Sequence, residues 1–123
     1  VTTGKVERPV LESEADGEAY LKASLRSHHY REFRRLKRRL ADLGKVEHVV
    51  ARGPDEIRHA IENFLTLESS GWKGRERTAM AIDRYRAALA RDAVHRLAEH
   101  DMCRIHLLTL DGRDSACVAV FVE

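Results

Sequence analysis

The 123-residue sequence predicts an α+β fold, with three strands in a mainly antiparallel sheet carrying three helices. Three observations carry that reading. Apolar residues recur at steps of three and four in three separate stretches, which is the helical period. A short β-branched run with Val46, Val49 and Val50 follows the first stretch directly. Two further strand-like runs, 103–110 and 115–122, flank Asp111-Gly112, a strong signal for a tight hairpin.

Residues 1–17 read as an irregular lead-in, with Pro9, alternating acids and no sustained period. A basic helix is expected over 18–43, with the stripe Leu21, Leu25, Phe33, Leu36, Leu40 and Leu43 and with His29 filling its gap. Gly44 should end that helix as a left-handed cap. Residues 45–123 then follow as strand, helix, helix and hairpin. Residues 45–51 form the first strand, Gly53-Pro54 a turn, and Pro54-Asp55-Glu56 opens a helix with acids at its positive end. That helix runs to about Ser69, with Ile57, Ile61, Phe64 and Leu65 on one face and Ala60 beside them. Thr78 can cap a third helix reaching His100, with the stripe Ile82, Tyr85, Leu89, Ala93 and Leu97.

Hairpin parity with an even loop puts Cys103, Ile105, Leu107, Ala116, Val118, Val120 and Val122 on one face, the expected core. The other face would hold Arg104, His106, Leu108, Leu110, Cys117, Ala119 and Phe121. That is too apolar for plain solvent. A homo-oligomer, a dimer or larger, is therefore expected through this face or through the edge strand. The same parity separates Cys103 from Cys117, so both should be free thiols.

Composition narrows the function classes. Apolar content is 43% and charged content 34%, as in soluble globular chains. No apolar run approaches the roughly 20 residues that span a bilayer. The polar start has no signal-peptide pattern, and with two distant cysteines a reducing cytoplasm is the default. The chain has no initiator Met and reads as a piece of something longer.

Net charge is only +2, but Glu12, Glu14, Asp16 and Glu18 precede a strongly basic segment from Arg26 to Lys45. A solvated or self-neutralised helix is the simplest account of that segment, followed by contact with anionic lipid or polysaccharide machinery. Nucleic acid comes last, because exposed aromatics are not interleaved with the cations. Seven histidines show no metal-ligand spacing, and no Gly-x-Ser-x-Gly elbow is present.

The candidate site centres on residues 64–75. The only tryptophan, Trp72, lies between Gly71 and Gly74 just after an apolar helical run. Glu68 continues the buried stripe near the negative end of its helix, and so needs a partner: Lys73, a backbone N–H of the 71–74 loop, or a substrate. Chemically it is the best candidate base or acceptor-binding carboxylate. Trp72, Lys73 and Gly74 could line a substrate channel, and His106 could shuttle a proton.

Tyr30-Arg-Glu-Phe-Arg-Arg-Leu-Lys-Arg-Arg-Leu-Ala-Asp-Leu-Gly44, Phe64-Leu-Thr-Leu-Glu68 with Gly71-Trp-Lys-Gly74, and Arg104–Leu110 with Asp111-Gly-Arg113 occur here in order. With these segments the chain resembles the acyltransferase-like domains of the GNAT superfamily. It is most similar to the subgroup of cellulose and exopolysaccharide biosynthesis, which is related to the Fem-type peptidyltransferases. The resemblance implies acyl transfer from an acyl-CoA such as acetyl-CoA to an amine or hydroxyl acceptor. It differs at Arg77, where such domains usually carry a small residue. In GNAT folds the acyl-CoA pyrophosphate is cradled at a later strand-to-helix turn. The chain thus resembles the N-terminal half of the domain, with no cofactor-binding residue of its own, and is expected to be inactive alone. The other expectation is a small interaction module that binds an anionic partner through the basic helix.

Overall fold

The computed structural model describes residues 4–7 and 9–123, apart from the side chain of Trp72. The elements are α1 (Gly17–Ser24), α2 (Ser27–Leu43), β1 (Val46–Ala51), α3 (Pro54–Ser70), α4 (Trp72–Arg75), a 3-10 turn (Met80–Ile82), α5 (Arg84–Glu99), β2 (Cys103–Leu110) and β3 (Arg113–Phe121). The fold is α+β with an antiparallel sheet in the order β1-β2-β3. The chain divides into two compact units, 1–39 and 40–123.

In the first unit the expected single helix is broken. Asp16 caps α1 by accepting the Ala19 N–H at 2.8 Å, and Leu25 turns extended at φ −89°, ψ 141°. Ser24 contributes to the break, because its hydroxyl donates to the Tyr20 carbonyl at 2.6 Å, a local bond that competes with the helix. The helix resumes at Ser27, and no residue of α1 or α2 is buried.

The second unit holds the core. α3 buries Ile57, Ala60, Ile61 and Leu65 as its sequence period requires, against Ile105, Leu107 and Cys103 of β2. α5 differs from expectation. Asp83 caps it, accepting from the Tyr85 and Arg86 N–H groups, so the helix begins well after Thr78. Its buried residues are Ala87, Val94 and Ala98, whereas Tyr85 and Leu89 stay exposed. Small side chains let α5 lie close to α3. Leu89 instead rims a shallow apolar groove beside Phe121.

Gly44 is not among the positive-φ residues, so it does not act as a left-handed cap. A Cβ there would collide with the Asp111 carboxylate, which accepts the Lys45 N–H at 2.8 Å. Close approach, not handedness, selects this glycine. Asp111 and Gly112, at φ 50° and 79°, form the tight hairpin turn that their sequence signals.

The largest correction concerns β3. Leu110 faces Arg113 and Thr109 faces Asp114, but Leu108 faces Ala116, so Ser115 is a bulge. One extra residue moves every following side chain to the other face of the sheet. The helix side therefore carries Cys103, Ile105 and Leu107 with Cys117, Ala119 and Phe121. The other side carries Arg104, His106 and Leu108 with Ala116, Val118 and Val120. The face expected to join Leu108 and Leu110 to Ala119 and Phe121 does not exist. Both cysteines are free thiols, and they share a face. What separates them is about four residues along the strands, roughly 13 Å, rather than the sheet itself.

This register gives a direct test. Deleting Ser115 should remove the bulge and turn Ala119 and Phe121 away from the helices. The expected cost is about 3 kcal/mol or more, the scale of losing a large core side chain. Ser115→Ala, which keeps the bulge, should change stability by under about 0.5 kcal/mol. Urea unfolding of the two variants measures both, and equal midpoints would contradict the assigned parity.

Candidate functional site

The site is built where α3 ends. Gly71 is extended at φ −95°, ψ −157°, and the expected loop closes at once into the single turn of α4. Gly74 fits there because a Cβ would run into the Ser69 carbonyl. The Lys73 carbonyl then gathers the returning chain. It accepts the Thr78 N–H at 2.7 Å, the Ala79 N–H at 3.1 Å and the Thr78 hydroxyl at 3.3 Å. Thr78 thus closes this loop instead of capping a helix. Arg77 sits at φ 60°, a region that favours glycine, at the position where the sequence resemblance expects a small residue.

Glu68 lies inside this loop, with its side chain only 12% exposed. Its Oε1 accepts the Met80 N–H at 2.8 Å, and its Oε2 lies 3.5 Å from the Lys73 ammonium. Two of the partners its position demanded are therefore supplied from within the chain. The backbone N–H, however, comes from Met80, beyond the 71–74 loop. The carboxylate ties the end of α3 to the 3-10 turn twelve residues later.

An open cavity of about 430 Å³ lies beside this tie, walled by Phe64, Leu67, Glu68, Gly71 and Lys73 on one side and by Ser115, Ala116 and Cys117 on the other. Glu68, Lys73 and Gly71 thus come together, whereas Gly74 lies against the Ser69 carbonyl and does not line the cavity. Trp72 opens α4, but its side chain lies outside the described residues. Cys117 was not singled out by sequence, because the wrong parity turned it away from the helices. Burial pushes its thiol above the usual range, and the Asp114 and Glu68 charges push the same way. It stays protonated at neutral pH and is no ready nucleophile.

His106 is not part of this cluster. It lies on the opposite sheet face, where its Nδ1 is 2.9 Å from Nε2 of His48 and the two rings stack. His48 was legible only once β1 and β2 were registered, since the two histidines are 58 residues apart in sequence. Among the described residues no group of three or more His, Cys, Asp or Glu side chains is placed to hold a metal.

An acyl-CoA pyrophosphate needs free backbone N–H groups at a helix start. The turn from β1 into α3 does not fit one. Pro54 has no N–H, and Asp55 and Glu56 put carboxylates in the first turn, with Glu56 accepting the Arg52 N–H at 2.8 Å.

Loop strain can be tested at two positions. Gly74→Ala should destabilise the protein by about 1–3 kcal/mol, because backbone must shift to admit the methyl. Arg77→Gly should stabilise it by up to about 1 kcal/mol, by relieving the left-handed residue. Thermal melts of both variants should move in opposite directions, and parallel shifts would contradict this backbone.

Residues 27–123 match the family model described as an acetyltransferase (GNAT) domain. No curated protein and no solved structure gives a significant match. The match spans most of the chain, including every element from α2 to β3 and the whole of the cavity. The chain belongs to the GNAT acetyltransferase domain family.

Proposed function

We propose that the chain forms the acceptor side of a cytoplasmic acyltransferase, one that moves an acyl group from a CoA thioester to an amine or hydroxyl. In such a transfer the acceptor loses a proton, its N or O bonds the carbonyl carbon, and the C–S bond breaks to release the CoA thiol. The observation that carries this reading is the cavity joining Glu68 and Lys73 to the bulged strand, within a chain of the GNAT family. It is wide enough for a small acceptor, and it presents one carboxylate oxygen that is not committed to backbone. Glu68 Oε2 is the proton acceptor in this reading, with Lys73, Gly74 and Trp72 shaping the acceptor's surroundings. His106, on the other sheet face, is left out of it.

The finer assignment is to the exopolysaccharide-biosynthesis subgroup related to the Fem-type peptidyltransferases, with 1–123 as the N-terminal half of its domain. It is supported by the order of the motifs and by the acidic, proline-started turn into α3, which is unsuited to pyrophosphate. Self-association follows the free edge of β3, where Val118, Val120 and Phe121 remain exposed.

Calorimetric titration of the 123 residues with acetyl-CoA should show no saturable micromolar binding, and light scattering should give a dimer or larger. Saturable binding would overturn the half-domain assignment, and a monomer at high concentration would overturn the edge contact. In the acyl-CoA-competent protein, Glu68→Gln should lower kcat about a hundredfold or more. The amide oxygen still accepts from Met80, so stability should fall by only about 1 kcal/mol. Full activity in that variant would remove Glu68 as the base.

A further inference from the structure

α2 is amphipathic to a degree that the site does not explain. Phe33, Leu36, Leu40 and Leu43 recur at steps of three, four and three and so share one narrow face. Leu40 is half-buried, and the other three are exposed. Phe33 is 48% exposed, Leu36 51% and Leu43 70%, and no residue of the helix is fully buried. Arg31, Arg34, Arg35 and Arg38 occupy the far side of the helix with Asp42, and Lys37, Arg39 and Glu32 border the stripe.

Internal neutralisation is slight. Among the described residues, Arg35 is the α2 cation held in an ion pair, by Glu32. Arg34 lies over the Tyr30 ring. Glu18, from the acidic stretch that could have screened the helix, instead accepts the Tyr30 hydroxyl.

We propose that α2 is an interfacial helix that lies along an anionic bilayer, with Phe33, Leu36, Leu40 and Leu43 in the acyl boundary and the arginines and Lys37 on the headgroup phosphates. The helix and an anionic bilayer surface are complementary. A low mean hydropathy, a dense cationic face and an exposed Phe/Leu stripe are the combination that an anionic membrane surface takes up. Nucleic acid would engage the cations and leave the stripe in water. A bilayer interface satisfies both faces of the same helix at once. Arg39 and Lys37, beside the stripe, can extend their aliphatic stems along it and keep their charges at the phosphates. The helix does not cross the membrane, since no helix among the described residues is long and apolar enough. This inference is independent of the acyltransferase reading.

The test uses the full chain with phosphatidylcholine vesicles, with and without phosphatidylserine, followed by co-sedimentation. Binding should require phosphatidylserine and weaken as salt is raised. Phe33→Ala/Leu36→Ala and, separately, Arg34→Gln/Arg38→Gln should each weaken it at least about tenfold. These positions are exposed and the replacements suit a helix, so circular dichroism should show both variants folded. In a Phe33→Trp variant, the added emission should shift to the blue on phosphatidylserine vesicles and be quenched by brominated acyl chains. Absence of binding overturns the proposal. So does binding indifferent to the Phe33/Leu36 change, which would mean a purely electrostatic contact. Tighter binding to single-stranded RNA than to the vesicles would overturn it in favour of nucleic acid.

Discussion

β3 has one residue more than β2 can pair, and much of the second unit follows from where that surplus is absorbed. Taken up at Ser115, it sets Cys117 and Ala119 against the core formed by α3 and β2, and turns Val118 and Val120 away. Absorbed nowhere, it would present Ala116, Val118 and Val120 to the helices, and the polar surroundings of His106 would face Phe121. The bulge also bends the strand beside the end of α3, so Ser115, Ala116 and Cys117 form one wall of the cavity. Core parity and cavity wall have the same cause.

The opposite wall depends on Glu68. A carboxylate on the buried side of a helix's last turns is unfavourable unless it is fully partnered. Met80 and Lys73 supply the partners, and in doing so they fix the path of the chain between α3 and α5. Lys73 acts twice, through its ammonium at Glu68 and through its carbonyl, which gathers Thr78 and Ala79. Removing the Lys73 side chain would therefore alter the charge in the cavity while leaving the backbone junction in place. The strained Arg77 lies within the same junction, and its cost is carried by these bonds.

What could be read from sequence divides along physical lines. Several local signals held. The α3 stripe, the Gly53-Pro54 entry and the Asp111-Gly112 turn each depend on neighbours a few residues away, and each stands as expected. The uncomfortable position of Glu68 was also legible, because it follows from helix period alone. Signals that depend on distant partners were not. The bulge leaves no local mark, since Ser115 resembles any other strand residue until β2 is laid against it. Gly44 was identified as important for the wrong reason, because its partner, Asp111, is 67 residues away. The face of α5 was misjudged by favouring bulky residues, whereas close packing against α3 selects alanine. His48 and Cys117 were missed for the same reason: only strand register brings them to His106 and to the cavity.

α2 and α3 are both 17 residues long and both carry an apolar stripe at steps of three and four, yet no residue of α2 is fully buried and α3 forms the core. Period alone does not separate them. The borders of the stripes do. On α3 the stripe runs into Glu68, which Met80 and Lys73 partner, and Glu62 is paired by Arg91 of α5 at 2.6 Å, holding its carboxyl below the usual range. A core can therefore close over that face without stranding a charge. On α2 the flanking charges are Glu32, which Arg35 holds, and the cations Lys37 and Arg39, which form no ion pair among the described residues, so closing a protein core over that face would strip water from two cations. A surface that supplies apolar depth and anionic phosphate at adjacent levels removes that penalty. Periodicity shows which face of a helix is apolar, and the flanking charges show what kind of medium that face can enter.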